Sequence, residues 1–171
     1  MQNFDVLIIG AGSVGVPLAY QLASRGVSVA VIDKQASVGQ GQNKAAIGGI
    51  RATHSDRAKI KIGKASLDFI RRLEPEFGQD IDYLEGGYLF PAYDRDIENN
   101  LKNLLPLQKR FGLNIDWIEP QEVQERVPGI NPNGLLGGTF SPEDGHLSSL
   151  KLAGAFYRLA LQMGVSFFFE T

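Results

Sequence analysis

The stretch that decides the fold is VLIIGAGSVG, Val6 to Gly15, in which an apolar run meets three glycines in the spacing G-x-G-x-x-G. The apolar run is typical of a β-strand buried on both faces of a parallel sheet. Gly10 permits a tight turn out of the strand, Gly12 leaves room for a pyrophosphate, and Gly15 lets the next helix pack closely. The pattern predicts a strand, a nucleotide-binding turn and a helix, with Ser13 helping to start that helix.

The residues after the turn complete a βαβ unit. A helix with an apolar side ends near Gly26, and VSVAVID forms a second buried strand that ends in Asp33. A carboxylate at this place accepts hydrogen bonds from the adenosine ribose and repels a 2′-phosphate. The unit therefore predicts a dinucleotide site, with NADP the least favoured dinucleotide.

A second glycine-rich segment, KQASVGQGQNKAAIGGIRATHS, follows Asp33. A loop of this length in a compact domain is usually functional or disordered. Its glycines let the backbone run close to an extended ligand, and Asn43 and Lys44 offer donors to a pyrophosphate. An NAD-binding unit usually continues with further βα repeats instead, so this loop points toward a different dinucleotide.

These residues resemble the amino-terminal part of the D-amino-acid oxidase-like FAD-dependent oxidoreductases. The resemblance is carried by DVLIIGAGSVGVPLAYQLASRGVSVAVIDK, by GQNKAAIGGIR and by the amphipathic helix that follows. It is strongest toward the glycine oxidase, sarcosine oxidase β subunit and dye-linked proline dehydrogenase β subunit members. It covers essentially the whole chain, more loosely after residue 80.

The resemblance implies FAD as the cofactor and a set of residues that bind it. Many relatives have glutamate where this chain has Asp33, and the shorter side chain makes the same bond. The implied cofactor-binding residues are Gly10, Gly12, Ser13, Gly15, Asp33, Lys34, Asn43, Lys44, Ala45, Gly48 and Gly49.

Arg51 and His54 are the candidate catalytic residues, because the resemblance places both at or near the flavin ring. Arg51 faces the flavin or a substrate carboxylate, or it pairs with a nearby acid. His54 is a flavin neighbour or a proton-handling group, or an ordinary histidine at a helix start. The role of His146 stays open, and two histidines far apart predict no metal site.

The implied function is an FAD-dependent oxidoreductase that oxidises the C–N bond of an amino acid or an N-methyl amino acid by hydride transfer to flavin. One alternative is an FAD-dependent dehydrogenase of a hydroxy acid or glycerol phosphate. Another is a non-catalytic nucleotide-binding module or subunit fragment. Substrate identity, the electron acceptor and the choice between oxidase and dehydrogenase stay open.

The expected architecture is α/β: a Rossmann-like FAD-binding βαβ domain with an inserted α+β substrate domain, both incomplete. Residues 1–75 form the first part of the FAD-binding domain, 76–145 part of the substrate-binding domain, and 146–171 a return to the FAD-binding domain. Family members continue well beyond this length. We therefore expect these residues to be the amino-terminal part of a longer enzyme and to be inactive alone.

The amino-acid composition limits the cellular compartments and the classes of partner that we expect. The 171 residues carry 17 Lys and Arg against 19 Asp and Glu and no cysteine. No basic block predicts a nucleic-acid partner, and the absence of cysteine excludes disulfides and thiolate catalysis within this sequence. We expect a cytoplasmic protein without a membrane span that takes a small amine or amino-acid substrate. Membership of a larger oxidoreductase, or a homo-oligomer, is a further expectation.

Overall fold

The computed structural model describes residues 3–171 and shows a mixed α/β fold, as the sequence predicts. The helices are α1 (Gly15–Ala23), α2 (Arg57–Phe77), α3 (Arg95–Arg110), α4 (Pro120–Arg126) and α5 (Ser149–Gln162). The strands are β1 (Val6–Ile9), β2 (Val29–Asp33), β3 (Gly49–Ile50), β4 (Tyr88–Ala92), β5 (Asp116–Ile118), β6 (Gly137–Ser141), β7 (Gly145–His146) and β8 (Ser166–Phe169). A short 3₁₀ helix occupies Gln42–Ala45.

The described residues separate into two compact units, each built from distant parts of the chain. Unit 1 takes the described part of Met1–Gly49, with Leu73–Tyr83 and Leu147–Thr171. Unit 2 takes Ile50–Arg72 and Leu84–His146. The long helix α2 contributes residues to both units. The expected functional domains stay a prediction.

Unit 1 contains a parallel sheet in the order β1-β2-β8. β1 pairs with β2 from Val6 opposite Val29, and β2 pairs with β8 as far as Asp33 opposite Phe169. Helix α1 makes the crossover between β1 and β2 and packs against α5. VSFFFE near the end of the sequence predicts a strand beside the one that ends in Asp33, and the pairing of β8 with β2 confirms this.

Strand β1 is not buried on both faces, which corrects the expectation from its apolar run. Ile8 is 8% exposed, whereas Leu7 is 57% and Ile9 is 83% exposed. Successive side chains of a strand point to opposite faces, and helix α1 packs on one face of this sheet. Within residues 3–171, strand β1 therefore has one buried face and one face exposed to solvent.

Unit 2 contains an antiparallel sheet in the order β4-β6-β5. One apolar cluster joins Ala52, Ile60, Leu67, Leu113 and Ile115, and another joins Ile118, Val123 and Leu135. The close approach of α2 to residues 51 and 52 depends on Gly63. A Cβ at Gly63 would lie 2.9 Å from the Ala52 Cα.

Two local expectations differ from the structure. DYLEGGYLFPA predicts two short strands, but only the second forms, as β4, while Leu84 makes an isolated bridge to His146. Ser55 is the N-cap that the sequence predicts for α2, but Asp56 accepts the first amides instead: its Oδ1 lies 2.9 Å from the Ala58 N and 3.1 Å from the Lys59 N. None of the helices in residues 3–171 has the length and apolar character needed to cross a bilayer.

Candidate functional site

The glycine turn between β1 and α1 has the close packing that its spacing predicts. The Gly10 N–H donates to the Ile32 carbonyl over 2.8 Å, and Gly10 has a φ of +107°. A Cβ on Gly15 would lie only 1.9 Å from the Gly10 carbonyl oxygen. Any side chain at Gly15 therefore pushes α1 away from the turn.

The Asp33 carboxylate is tied to the same turn. Its Oδ2 accepts from the Ala11 N–H over 2.6 Å, and its Oδ1 accepts from the Gln35 N–H over 2.8 Å. The Ala11 bond and then the Gln35 bond hold the pKa of Asp33 below its ordinary value, so the group is ionised at neutral pH. Each oxygen retains acceptor capacity for a further donor such as a ribose hydroxyl.

An open cleft of about 250 Å³ lies beside this carboxylate at the carboxyl ends of β1 and β2. In parallel α/β sheets, ligands bind at this edge. The cleft is lined by Ile9, Gly10, Ile32, Asp33, Lys34 and Thr171.

Asn43 joins the second glycine-rich segment to the start of α1. Its Oδ1 accepts from the Ser13 N–H over 3.1 Å, and its carbonyl accepts from the Ser149 hydroxyl over 2.6 Å. Asn43 is 7% exposed, so this amide is part of the folded unit. The Ser13 side chain does not cap α1, because the residue at the cap position is Val14 and no side chain caps the helix.

The structure gives weaker support to a cofactor contact for the remaining predicted residues, Gly48, Lys44, Ala45 and Gly49. Gly48 has a φ of +83°, and a Cβ there would lie 2.0 Å from the Leu147 carbonyl oxygen. Packing inside unit 1 therefore requires this glycine, whatever ligand it meets. Lys44 and Ala45 lie exposed in the 3₁₀ helix, and Gly49 begins β3. Their contact with a cofactor stays a prediction.

Arg51, in unit 2, has no ion pair with any acid among the described residues. Its guanidinium carbon lies 5.3 Å from the ring centre of Tyr88 and 5.3 Å from that of Phe90. Its Nε is buried without a hydrogen-bond partner in residues 3–171. A cation held by two rings and lacking a carboxylate is suited to bind an anion.

His54 lies three residues further along the same segment and is half-buried. Its burial lowers the pKa of His54 from the ordinary value, and the nearby charges of Arg51 and Lys59 lower it further. The Asp144 carboxyl opposes this shift of the His54 pKa without cancelling it. The imidazole is therefore neutral at pH 7 and able to accept a proton.

Two buried side chains that the sequence did not single out hold this segment. Asp144 accepts from the Ala52 N–H and from the Thr53 hydroxyl, and Gln108 donates to the His54 carbonyl. In the sequence, PEDGH indicates only a turn, and Gln108 belongs to an amphipathic helix. Neither residue carries a local signal of its role.

The predicted site residues thus form two groups. The structure brings Gly10, Gly12, Gly15, Ser13, Asp33 and Asn43 together in unit 1, and it holds Arg51 and His54 on one segment of unit 2. His146 lies exposed in β7. Within residues 3–171, no group of three or more acidic, histidine or cysteine side chains is arranged to hold a metal ion.

A βαβ unit with this glycine turn, and an acid at the end of its second strand, defines a dinucleotide-binding protein. The family described as FAD dependent oxidoreductase (DAO) matches residues 5–171. The chain belongs to this family of FAD-dependent oxidoreductases. The resemblance seen in the sequence, the enzyme class and the choice of FAD as cofactor are confirmed.

Individual relatives agree with the family. Glycine oxidase of Bacillus licheniformis is 29% identical over 98% of this chain and 45% of its own length. Mitochondrial dimethylglycine dehydrogenase of Rattus norvegicus is 29% identical over 94% of this chain and 19% of its own. The crystal structure of L-proline dehydrogenase from P. horikoshii matches with a TM-score of 0.92 and 29% identity, over 99% of this chain and 44% of that one. The chain spans less than half the length of these relatives.

Replacing Asp33 tests the first group. We expect Asp33→Ala to weaken FAD binding more than Asp33→Asn, because asparagine keeps an acceptor for the Ala11 N–H and alanine keeps none. A hydrogen bond to a charged group contributes about 1.5–3 kcal/mol, so the alanine variant should bind roughly 10- to 100-fold more weakly. Fluorescence titration with FAD measures this. Equal, undiminished affinity in both variants would show that Asp33 does not contribute to the cofactor site.

The lowered pKa of His54 predicts a pH dependence of stability. The folded state binds this proton less readily than the unfolded state, so the contribution is complete above about pH 6.5 and is lost as pH falls through the folded pKa. We expect the free energy of unfolding to fall more steeply from pH 7 to pH 5 in the wild type than in His54→Gln. Urea denaturation at each pH measures it, and parallel curves for the two proteins would contradict the prediction.

Proposed function

We propose that the protein oxidises the C–N bond of an amino acid or an N-methyl amino acid by hydride transfer to FAD, with Arg51 binding the substrate carboxylate. The observation that carries the proposal is the arginine stacked on Tyr88 and Phe90 with a buried, unpartnered Nε. The names of the relatives support it, because glycine, dimethylglycine and proline all join an amine to a carboxylate.

The geometry of Arg51 favours a carboxylate over a neutral ligand. A guanidinium presents donors in a planar fork that matches the two oxygens of a carboxylate. The rings of Tyr88 and Phe90 lie next to each other, 5.4 Å apart, and the guanidinium lies over both, so one side of the cation is covered by aromatic surface. Because no described acid competes for it, the cation is available to an incoming anion.

Residues of unit 1 fit the adenosine and pyrophosphate part of FAD. The cleft beside Asp33 accommodates a ribose, and the start of α1 offers amide donors to phosphates. Bound FAD supplies a two-electron acceptor for the hydride. The protein contributes by binding the dinucleotide, orienting the amine and keeping water away.

His54 supplies a proton acceptor in this proposal. An amine gives up hydride from its neighbouring carbon only when its lone pair is free, so an ammonium substrate must first lose a proton. Burial and Arg51 lower the pKa of His54, so its imidazole is neutral at pH 7 and has a free lone pair through which this proton can be relayed to water. Arg51 and His54 thereby act on opposite ends of the same substrate, the carboxylate and the amine.

Anaerobic reduction tests the proposal when it is carried out on the FAD-loaded full-length enzyme that is expected to contain these residues. We expect the flavin absorbance to bleach on addition of glycine, sarcosine or proline and to stay unchanged with glycerol phosphate. Bleaching by glycerol phosphate or by a hydroxy acid alone would replace the proposal with the alternative substrate class. A flavin-loaded protein that no member of the panel reduces would favour the non-catalytic module. The cytoplasmic location and any partner subunit stay predictions.

A further inference from the structure

We propose that Asp144 and Gln108 are positioning residues that hold residues 51–54 so that Arg51 is presented to the substrate carboxylate. This inference rests on the proposed function of Arg51. Both side chains are buried, at 1% and 4% exposure, and both bind the segment from elements far away in sequence.

Asp144 makes two hydrogen bonds to the segment through its carboxyl group. Oδ1 accepts from the Ala52 N–H over 2.8 Å, and Oδ2 accepts from the Thr53 hydroxyl over 2.5 Å. Within residues 3–171 no basic side chain pairs with Asp144, so these bonds compensate for its removal from water. A buried carboxyl group is costly without such partners.

Asp144 also connects the segment to the ring beneath Arg51. Its carbonyl accepts from the Gly87 N–H over 2.8 Å, and Gly87 directly precedes Tyr88. Gly145 fixes the same turn, because a Cβ there would lie 2.2 Å from the Leu84 carbonyl oxygen. Asp144 therefore fixes the backbone next to Arg51 through its carboxyl group and the backbone next to Tyr88 through its carbonyl group.

Gln108 secures the other end of the segment. Its Nε2 donates to the His54 carbonyl over 3.1 Å from helix α3. Gly63 of α2 allows the same segment to lie against the helix, since a Cβ there would lie 3.1 Å from the Arg51 carbonyl oxygen. Hydrogen bonds thus hold this segment at residues 52, 53 and 54, directly after Arg51.

Thr53→Val tests the arrangement with little change of shape, because both residues are β-branched. It removes the hydroxyl donor to Asp144, while Thr53→Ser retains it. We expect the Ala52 amide of the valine variant to exchange with solvent about tenfold faster or more. The proline or sarcosine concentration that half-saturates flavin reduction should rise about tenfold with little change in the limiting rate. Thr53→Ser should remain within about twofold of the wild type on both measures.

Asp144→Asn provides a second variant. We expect the double variant Thr53→Val, Asp144→Asn to raise the half-saturating concentration no more than the larger single change, because both disrupt one unit. Val123→Ala is the matched control, since it destabilises the other apolar cluster of unit 2 without touching the segment. Its half-saturating concentration should stay unchanged.

Several results would overturn the inference. Unchanged exchange at Ala52 in Thr53→Val would show that Asp144 does not hold the segment. An equal rise in half-saturating concentration for Val123→Ala would show a general effect of lost stability. If no amino acid reduces the wild type, the proposed function fails and the role in presenting Arg51 fails with it, whereas the exchange result still decides whether the segment is held.

Discussion

Gly15→Ala is expected to abolish FAD binding and to destabilise unit 1. The added Cβ would lie 1.9 Å from the Gly10 carbonyl oxygen, a backbone atom that cannot rotate away. Helix α1 must move off the turn, which displaces the amides expected to meet the phosphates and costs about 1–3 kcal/mol of overpacking. Fluorescence titration with FAD and urea denaturation measure the two effects.

Gly154→Ala is the matched control for this prediction. It places the same methyl group in helix α5 of unit 1, where a Cβ meets only the end of the flexible Arg158 side chain at 3.4 Å. FAD affinity should therefore stay close to that of the wild type, and the unfolding free energy should not fall. Wild-type FAD affinity in Gly15→Ala would show that the turn tolerates a side chain and does not set the pyrophosphate position.

Arg51→Met is expected to produce the largest loss of activity with the least change in fold. Methionine covers the adjacent rings of Tyr88 and Phe90 with a side chain of similar length but offers no charge and no donor. Removing one member of a buried charge pair costs about 2–5 kcal/mol, so the second-order rate constant for flavin reduction should fall by at least about 30-fold. Arg51→Lys should recover only part of the loss, because an ammonium lacks the planar fork.

Arg57→Met controls for loss of a stacked arginine. Arg57 also lies over a ring, with 5.6 Å between its guanidinium carbon and the centre of Phe111, but it is exposed at the start of α2. Its replacement should leave flavin reduction unchanged. Stopped-flow reduction of both variants is the measurement. Normal reduction of Arg51→Met by the best substrate would remove Arg51 from the site.

The parts of the fold that follow from local pattern were predictable. The glycine turn, α1 and the acid at the end of β2 depend on residues within about thirty positions of each other, and their spacing carries the geometry. The pairing of β8 with β2 follows from the return of the βαβ pattern near the chain's end. The extra bond from the Ala11 N–H to Asp33 was missed, because the sequence suggested only a ligand for that carboxylate.

The hydrogen bonds by which Asp144 and Gln108 hold residues 51–54 were not predictable from the sequence. Asp144 lies 92 positions from Ala52 and Gln108 lies 54 positions from His54, and no periodicity connects residues at such separations. The sequence pattern also failed to predict that Leu7 and Ile9 are exposed, for a related reason. An apolar run shows what a strand is able to bury, whereas what covers it depends on the rest of the fold.

The discontinuous make-up of unit 1 has a consequence for how the protein is made. Its central strand β2 ends at Asp33, but the partner of Asp33 in the sheet is Phe169. During synthesis the sheet cannot close until almost the whole of this sequence has left the ribosome. The edge of β2 that pairs with β8 therefore stays unpaired until β8 has been synthesised. More than a hundred residues separate the two strands, and the entropy cost of closing such a loop slows their pairing.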